Sequence, residues 1–546
     1  MKECFNTLDK LASEFSYRNI YSIMTEYGDK IAAEYDDESG IKKRTYREYD
    51  IMIRGGAAAL AAQMGNLEKS YIGIKLDNNP DWPAVFWSVM MAGYKPLLLD
   101  YRGDAAITLH LLDTAGAVAI ITDDKAEYPG YDKITPTSLL GKKLDEGFSP
   151  DWADEVALCT SGTTGTARVF VYNGDAMGHQ MDNARYFLKD NGDIMYDTSD
   201  GECKNLAFLP LHHIFGFVAV YMWYSFFGKT IVYLKDKSPK TIMDTCRRHE
   251  VTHIFCVPMF WNNVTQGIMR KVAQGGERQE RMFRRISRIS YSTQSHAKRK
   301  GRRVMGASVF RSIQESLVGG SVRFMINGGG HILPDTLKTI NTIGYPLYNG
   351  FGMTEAGITS VEFSYDICQR VKGSVGKPFE SVKYKISDEG ELLISGKSLY
   401  SGQMVAGEYV PRTDEWFATG DIATLRDGKL YIEGRLKEVI VDQSGENIYP
   451  DELEDYFIQM PYVTDYCVMG AKMGGDYEEV IMVMKLEEDA DEKAIAALSE
   501  EILEANNALP MAKKVRHVLI SDDPLPVANG IKVQRQKLRK AIEDGS

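Results

Sequence analysis

Apolar and polar positions in the first 150 residues alternate between helical and strand patterns. Thr45 to Met64 reads as a helix with an alanine-rich buried face. Tyr71 to Leu76 reads as a strand, Trp82 to Ala92 as a helix and Tyr94 to Leu99 as a strand. Ala105 to Ala115 is a further helix and Ala117 to Thr122 a buried strand. Alternating units with apolar strands imply a largely parallel sheet covered on both faces. Further on, Val156 to Leu158 and Val169 to Tyr172 flank an unbroken Thr/Ser/Gly run, Thr160 to Gly165. That pattern predicts strand, polar glycine loop, strand. The region 438–546 reads as a compact α+β unit, with strands near Val439 and Asp465 and over Glu479 to Leu486, and a helix over Asp491 to Asn506. The class expected is therefore α/β, layered, with a smaller α+β part at the C-terminal end.

Composition narrows the picture. A chain of 546 residues is too long for one ordinary core, so two or more domains are expected. Hydrophobic content of 44% and charged content of 26% are those of a soluble globular protein. A net charge of −12 argues against general nucleic-acid binding. The seven cysteines are odd in number and scattered without a CxxC, which fits a reducing, cytoplasmic setting rather than a disulfide framework or zinc ribbon. The start, MKECFNTLDK, has no apolar signal core. The most apolar stretch, Ile214 to Phe227, is 14 residues. That is short of the ~20 needed to span a bilayer. It predicts a buried helix and no transmembrane segment.

The glycine run carries the first chemistry. In Leu158 to Arg168 (LCTSGTTGTAR), hydroxyls and exposed backbone N–H groups are packed densely enough to nest phosphate oxygens, because glycine lets the backbone come close. No Lys-Ser/Thr follows at P-loop spacing and the flank is not helical. A flexible surface turn is the plainer reading of such a run. The stretch resembles the phosphate loop of the adenylate-forming superfamily, which includes acyl-CoA synthetases, firefly luciferases and the adenylation domains of peptide synthetases. The usual form is TSGTTGxPK; here Ala167 stands for Pro and Arg168 for Lys, so the cation is kept in kind. The resemblance implies that Thr160, Ser161, Gly162, Thr163, Thr164, Gly165 and Arg168 face the ATP phosphates.

Further motifs follow in order. Leu206 to Phe217 (LAFLPLHHIFGF) resembles the family's PLxHxxG element and makes His213 its histidine, beside the acyl pocket and the carboxylate. A metal reading of His212 and His213 needs a third ligand, and none is suggested nearby. No acid lies between Pro210 and Phe227, where amino-acid-activating relatives carry an Asp, which favours a plain carboxylic acid. His249 to His253 (HEVTH) fits the zinc-protease pattern, but Val251 to Val257 reads as a strand, where residues four apart lie about 13 Å from each other. A basic region, residues 266–304, reads as a solvated helical face; a docking surface for an acidic carrier, CoA phosphates or an anionic membrane is the sharper alternative.

Ser321 to His331 (SVRFMINGGGH) is a strand ending in three glycines, and Tyr345 to Gly357 (YPLYNGFGMTEAG) follows. They resemble the family's GGA and YGMTE elements, which hold adenine. By that resemblance Gly328, Gly329, Gly330, Asn349, Gly350, Phe351 and Gly352 are nucleotide-binding, with Gly330 for the usual Ala and Phe351 for the usual Tyr. Thr354 reaches the α-phosphate and Glu355 helps hold Mg²⁺. Asp421 in WFATGD matches the aspartate that grips the ribose hydroxyls, and Arg435 in GRLK matches a nucleotide-contacting arginine. Lys437 matches the hinge, which sets the expected domains at 1–436 and 437–546. In LPVANGIKVQRQKL, Lys532 matches the catalytic lysine, with Ile531 inserted before it and Lys537 as the alternative.

The resemblance covers nearly the whole chain. It implies an AMP-forming ligase in which a carboxylate, fatty or aromatic, is activated by Mg·ATP as acyl-AMP and passed to a thiol. That thiol is coenzyme A or, in trans, the phosphopantetheine of an acyl carrier protein. A nucleotide-binding protein without catalysis is the competing class, on the strength of Ile531, Gly330 and Arg168.

Overall fold

The computed structural model describes residues 2–65, 68–142, 147–160, 167–195, 202–296, 310–441, 447–454, 456–457, 460, 462–474, 478–488, 490–507, 509–528 and 532–545. The helical reading of the N-terminal third holds closely. Tyr46–Met64 is a helix whose N-cap Thr45 and Glu48 form a reciprocal capping box. Ala105–Ala115 has the expected bounds; Asp104 caps its start and Gly116, in the left-handed region, ends it. The strand Tyr71–Lys75 is buried throughout and pairs parallel with Lys95–Leu98 and Ala117–Thr122.

These strands belong to an eight-stranded sheet that is parallel over only part of its width. Glu155–Cys159 pairs parallel with Lys95–Leu98 on one side and antiparallel with Val169–Asn173 on the other. Gly402–Val405 then adds antiparallel to Val169–Asn173. The glycine run is therefore the connection of a hairpin at the point where the sheet changes sense, and its shoulders Thr160 and Arg168 are tied twice. The Thr160 amide donates to the Arg168 carbonyl at 3.0 Å, and the Arg168 amide donates to Thr160 Oγ1 at 3.1 Å.

A nine-stranded sheet lies beside it. Its centre is parallel, with Phe324–Asn327 between His253–Cys256 and Leu347–Met353. The expected buried helix after His213 is present in a wider form: Phe215–Met222 is a π-helix that continues as Trp223–Phe226. A Cβ on Gly216 would fall 2.0 Å from the Pro210 carbonyl oxygen, so only glycine lets this helix start there. An antiparallel sheet of Val382–Ile386, Glu391–Gly396, Phe417–Arg426 and Lys429–Arg435 completes this part. From Ile440 onward, two apolar clusters form that draw on no earlier residue: one around Ile448, Val468 and Leu498, the other around Met469, Ile481 and Leu525. Among the described residues no helix is long and apolar enough to cross a membrane.

The HEVTH segment is structural. His249 caps the end of helix Pro239–Arg248 and His253 opens the strand His253–Cys256. His249 lies between Glu34 and Asp36, at 3.2 Å from each, whereas His253 lies against Cys203, with Sγ 3.4 Å from Nδ1. Among the described residues no cluster of three or more metal-ligating side chains occurs.

Glu34 is buried beneath His249, Lys204 and Lys43. Burial alone raises its carboxyl, but the hydrogen bonds from His249, Lys204 and Lys43 outweigh it and hold the group down to about 2, from 4.5. A carboxyl depressed on folding adds stability above its unfolded value, which is lost as pH falls through the folded value. Glu34→Gln is expected to cost on the order of 3 kcal/mol at neutral pH. Urea midpoints measured from pH 7 down to pH 2 should converge for the two proteins as the acid is titrated; parallel curves would refute the assignment.

Candidate active site

A cavity of about 580 Å³ opens where these three sheets meet the C-terminal segment. One wall is polar. Thr160 and Arg168 come from the base of the glycine hairpin, Gly328 and Gly329 from the end of strand Phe324–Asn327, and 350–355 from the next strand and turn. The apolar part of the lining is Phe215, Ala219, Trp223, Phe255, Val257 and Ile326, with Phe215 directly against Gly328. Thr419, Gly420, Arg435 and Lys437 form a third side, and Val533 to Gln536 close it from the C-terminal end. Residues 161–166 of the glycine run, which hold the expected phosphate contacts Ser161 to Gly165, lie outside the described residues.

The hairpin Leu347–Met353 to Gly357–Val361 is placed by one buried amide that the sequence did not flag. Gln180 Nε2 donates to the Ala356 carbonyl (3.0 Å) and the Ser398 carbonyl (2.8 Å), and its Oε1 accepts from the Ile358 amide at 3.2 Å. Gly357 must be glycine, since φ is +72° and a Cβ would overlap the Gln180 amide. Tyr172, on the strand that leaves the glycine loop, donates its hydroxyl to the Thr354 carbonyl at 2.8 Å. Thr354 and Glu355 are thus fixed from behind at the cavity wall. No sequence signal marks Gln180 or Tyr172, because each acts across more than 170 positions.

The expected nucleotide residues divide into those on the wall and those behind it. Gly328, Gly329, Gly350, Phe351, Gly352, Thr354, Glu355 and Arg435 line the cavity. A Cβ on Gly352 would meet the Gly357 carbonyl at 2.4 Å, so this glycine is imposed by the hairpin itself. Gly330 is different: a Cβ there reaches Pro258 at 3.4 Å, so the usual alanine would also fit. Asn349 sits below the wall, accepting from Asn327 Nδ2 at 2.9 Å and donating to the Gly373 carbonyl at 3.3 Å. It ties the two parallel strands to the GSVGKP turn. Asp421 lies behind Gly420 with its Oδ1 2.8 Å from Arg435 Nε. The Gly420 amide donates to Glu391 Oε1 at 2.8 Å, which fixes the Thr-Gly-Asp turn.

The cavity lining carries both signs of charge: Arg168, Arg435, Lys437 and Arg535 beside Glu355, Glu391 and Glu438. Burial drives the His213 imidazole down to about 4, so it meets the cavity neutral at pH 7. His212, stacked on it at 4.4 Å, is likewise pushed down by burial and faces Asp100 rather than a metal site. Burial raises the Glu355 carboxyl, against the pull of Arg435 and Arg168. The Thr354 hydroxyl and the Glu355 carboxylate are hard oxygen donors, a set that fits Mg²⁺ carried in on a triphosphate. The backbone of Lys532 forms the short strand Lys532–Val533, paired with Val527–Ala528, one residue before the cavity lining. Lys537 is exposed on the helix Arg535–Gly545, outside the lining.

The family model described as AMP-binding enzyme matches residues 22–409. The 2-succinylbenzoate–CoA ligase of Bacillus subtilis is 24% identical over 464 residues, 81% of this chain and 82% of that protein. Long chain acyl-CoA synthetase 6, peroxisomal, of Arabidopsis thaliana is 25% identical over 378 residues, 64% of this chain. The match spans about half the length of that relative, 51%. Among solved structures, the o-succinylbenzoate CoA synthetase of Bacillus subtilis in complex with its acyl-adenylate intermediate superposes with a TM-score of 0.72 at 21% identity, over 95% of this chain and 97% of that one. An anthranilate CoA ligase with anthranoyl-AMP superposes with a TM-score of 0.73 at 15% identity, over 98% and 99%.

Gln180→Leu keeps the volume but strands two carbonyls and an amide in a buried site. It is expected to cost about 3 kcal/mol. It should also weaken nucleotide binding, because the Thr354–Glu355 turn loses its support. Denaturation midpoints and ATP titration by fluorescence check both effects; unchanged ATP affinity in a folded variant would exclude Gln180 as the support of that turn.

Proposed function

The chain belongs to the AMP-binding enzyme family, and from that premise we propose that it is an AMP-forming acid–thiol ligase acting on a fatty or aromatic carboxylic acid, with coenzyme A as the thiol. The observation that carries this reading is a cavity that brings Thr160, Arg168, Thr354 and Arg435 into one lining with Phe215, Trp223 and Phe255. A triphosphate suits the first and an apolar acyl group the second. What supports the absence of an amino acid as substrate is the lack of any acid between Pro210 and Phe227.

In the first step an oxygen of the substrate carboxylate attacks the α-phosphorus of ATP. A new C(=O)–O–P bond forms, the bond to the β-phosphate oxygen breaks, and pyrophosphate leaves with its electron pair. Two anions must approach each other, so the barrier is largely electrostatic. Lys532 is proposed to bridge the carboxylate and the α-phosphate, Thr354 to hold the α-phosphate, and the glycine run with Arg168 to hold the β- and γ-phosphates. His213, neutral, borders the carboxylate without adding a charge that would bind it too tightly in the ground state. Mg²⁺, where bound at Glu355, supplies neutralisation of the phosphate charge. Asp421 is proposed to meet the ribose and Arg435 to contact the nucleotide.

In the second step a thiolate sulfur attacks the acyl carbonyl, and AMP leaves as the thioester forms. The domains proposed are 1–436 and 437–546, with rotation of the small domain about Lys437 withdrawing Lys532 and admitting the thiol.

Carboxylate-dependent ATP–pyrophosphate exchange tests the first step, over a panel from acetate to long-chain, aryl and amino acids. Lys532→Ala is expected to lower kcat by a factor on the order of 10²–10³ with one substrate class. Asp421→Ala is expected to raise the KM for ATP about tenfold, the loss of a charged hydrogen bond. Thioester formation with coenzyme A against phosphopantetheinylated carrier then identifies the acceptor. Exchange that survives in Lys532→Ala would transfer the role to Lys537; no exchange with any acid, with ATP still bound, would favour a nucleotide-binding protein without catalysis.

A further inference from the structure

The C-terminal helix Arg535–Gly545 begins with a guanidinium held by three carboxylates from two places, Glu438 and the helix Pro450–Glu454. Arg535 Nη1 lies 2.6 Å from Glu438, and Nη2 lies 2.6 Å from Asp451 and 2.7 Å from Glu454. Its Nε donates to the Val468 carbonyl at 3.0 Å, and the Val468 amide returns to Glu454 at 2.8 Å. The arginine side chain is 7% exposed, so all of this takes place out of water. Arg535 stands three residues after Lys532, and Glu438 one residue after Lys437. On the other side of Lys437, Arg435 is held by Asp421 at 2.8 Å. Two ion pairs therefore bracket the two residues Leu436 and Lys437, both of which are exposed. Arg435 is anchored to the large part, and Glu438 to the small one.

We propose that Arg535 is a positioning residue that welds the Lys532 strand to the exit of the hinge, so that everything from Glu438 onward turns as one body and bending is confined to Leu436 and Lys437. This rests on the two-step reading above. A guanidinium that holds the residue after the hinge, on a residue three along the chain from Lys532, sets where the Lys532 strand stands for a given hinge angle. Without the ion pair to Glu438, the hinge can turn and leave Lys532 with no defined place. Asp421 and the hairpin 350–355 are untouched, so nucleotide affinity should stay as it is.

Glu438→Gln is the variant to make, since Asp451, Glu454 and Val468 still hold Arg535, whereas Arg535→Ala would leave three acids facing one another. Two readouts are taken with the full chain. By hydrogen–deuterium exchange, amides in 532–538 are expected to exchange about tenfold faster than in the parent, while 463–471 stays protected. In ATP–pyrophosphate exchange, kcat is expected to fall about tenfold at unchanged KM for ATP, with part of the loss recovered in Glu438→Asp. Should Glu438→Gln melt below the assay temperature, Glu438→Asp is read in the same way. Unchanged protection at 532–538 overturns the weld whatever the activity, and so does a rise in KM for ATP at constant kcat. If the parent shows no exchange with any acid, the proposed reaction falls, and hydrogen exchange alone decides the weld.

Discussion

One buried amide holds three sheets in register around the cavity. Gln180 sits on the helix that follows the glycine hairpin of the eight-stranded sheet, and its side chain reaches the hairpin of the nine-stranded sheet and the Ser398 carbonyl at the end of the antiparallel one. Its own carbonyl accepts from Trp223 Nε1 at 3.0 Å, which draws in the π-helix of the apolar wall. Each of these groups is cut off from water, so each must find a partner in the fold or cost the stability of an unmade hydrogen bond. A single amide with two donors and an acceptor satisfies them together. The glycines around it follow: Gly357 and Gly352 are small because the hairpin backbone and Gln180 already fill the space.

Legibility divides along the distance over which a residue acts. Helix Ala105–Ala115 is read to the residue because its cap, its apolar face and its terminating glycine all lie within a dozen positions. The two strands read on either side of the glycine run hold for the same reason, since they pair as local neighbours. The parallel reading of the strands in the first 150 residues holds, but the sheet they belong to has an edge that the reading does not cover. That edge is antiparallel and is added by Gly402–Val405, more than two hundred residues along, and no local pattern records the pairing. The 3.6-residue period predicts a helix after His213 but cannot tell a π-helix from an α-helix when the stretch is apolar on every side. In the site, spacing and resemblance bring Thr160, Arg168, Thr354, Glu355 and Arg435 to one cavity. They do not reveal that Asn349 is consumed by Asn327 and Gly373, or that Asp421 is engaged with Arg435. Those are contacts between elements, and only the assembled sheets create them.

Charge is economical where the reaction would need it. The chain as a whole is acidic, at −12, and the cavity lining balances Arg168, Arg435, Lys437 and Arg535 against Glu355, Glu391 and Glu438. Two of those cations are already engaged, Arg435 with Asp421 and Arg535 with Glu438, which leaves Arg168 and Lys437 as the cations of the lining with no carboxylate partner among the described residues. The tandem histidines add no charge at neutral pH, since burial depresses both. In the reaction proposed above, Arg168 would meet the phosphates and the neutral His213 the acid.

Magnitudes decide how a small domain could move over this site without coming apart. One described ion pair across the two parts, Arg270 with Glu487 at 3.0 Å, has an arginine that is 57% exposed. Such a pair contributes roughly 0–1 kcal/mol and exchanges readily with water. Within the small part, freeing Arg535 from its carboxylates would leave buried charge unpaired, at a cost of about 3–5 kcal/mol. The weaker contact gives way first. Of these two pairs the one across the parts is the weaker, and the exposed Leu436 and Lys437 lie between the two anchored ion pairs. The two-step reaction proposed above, which offers one cavity to a carboxylate and then to a thiol, would need that ordering of strengths more than a tight interface.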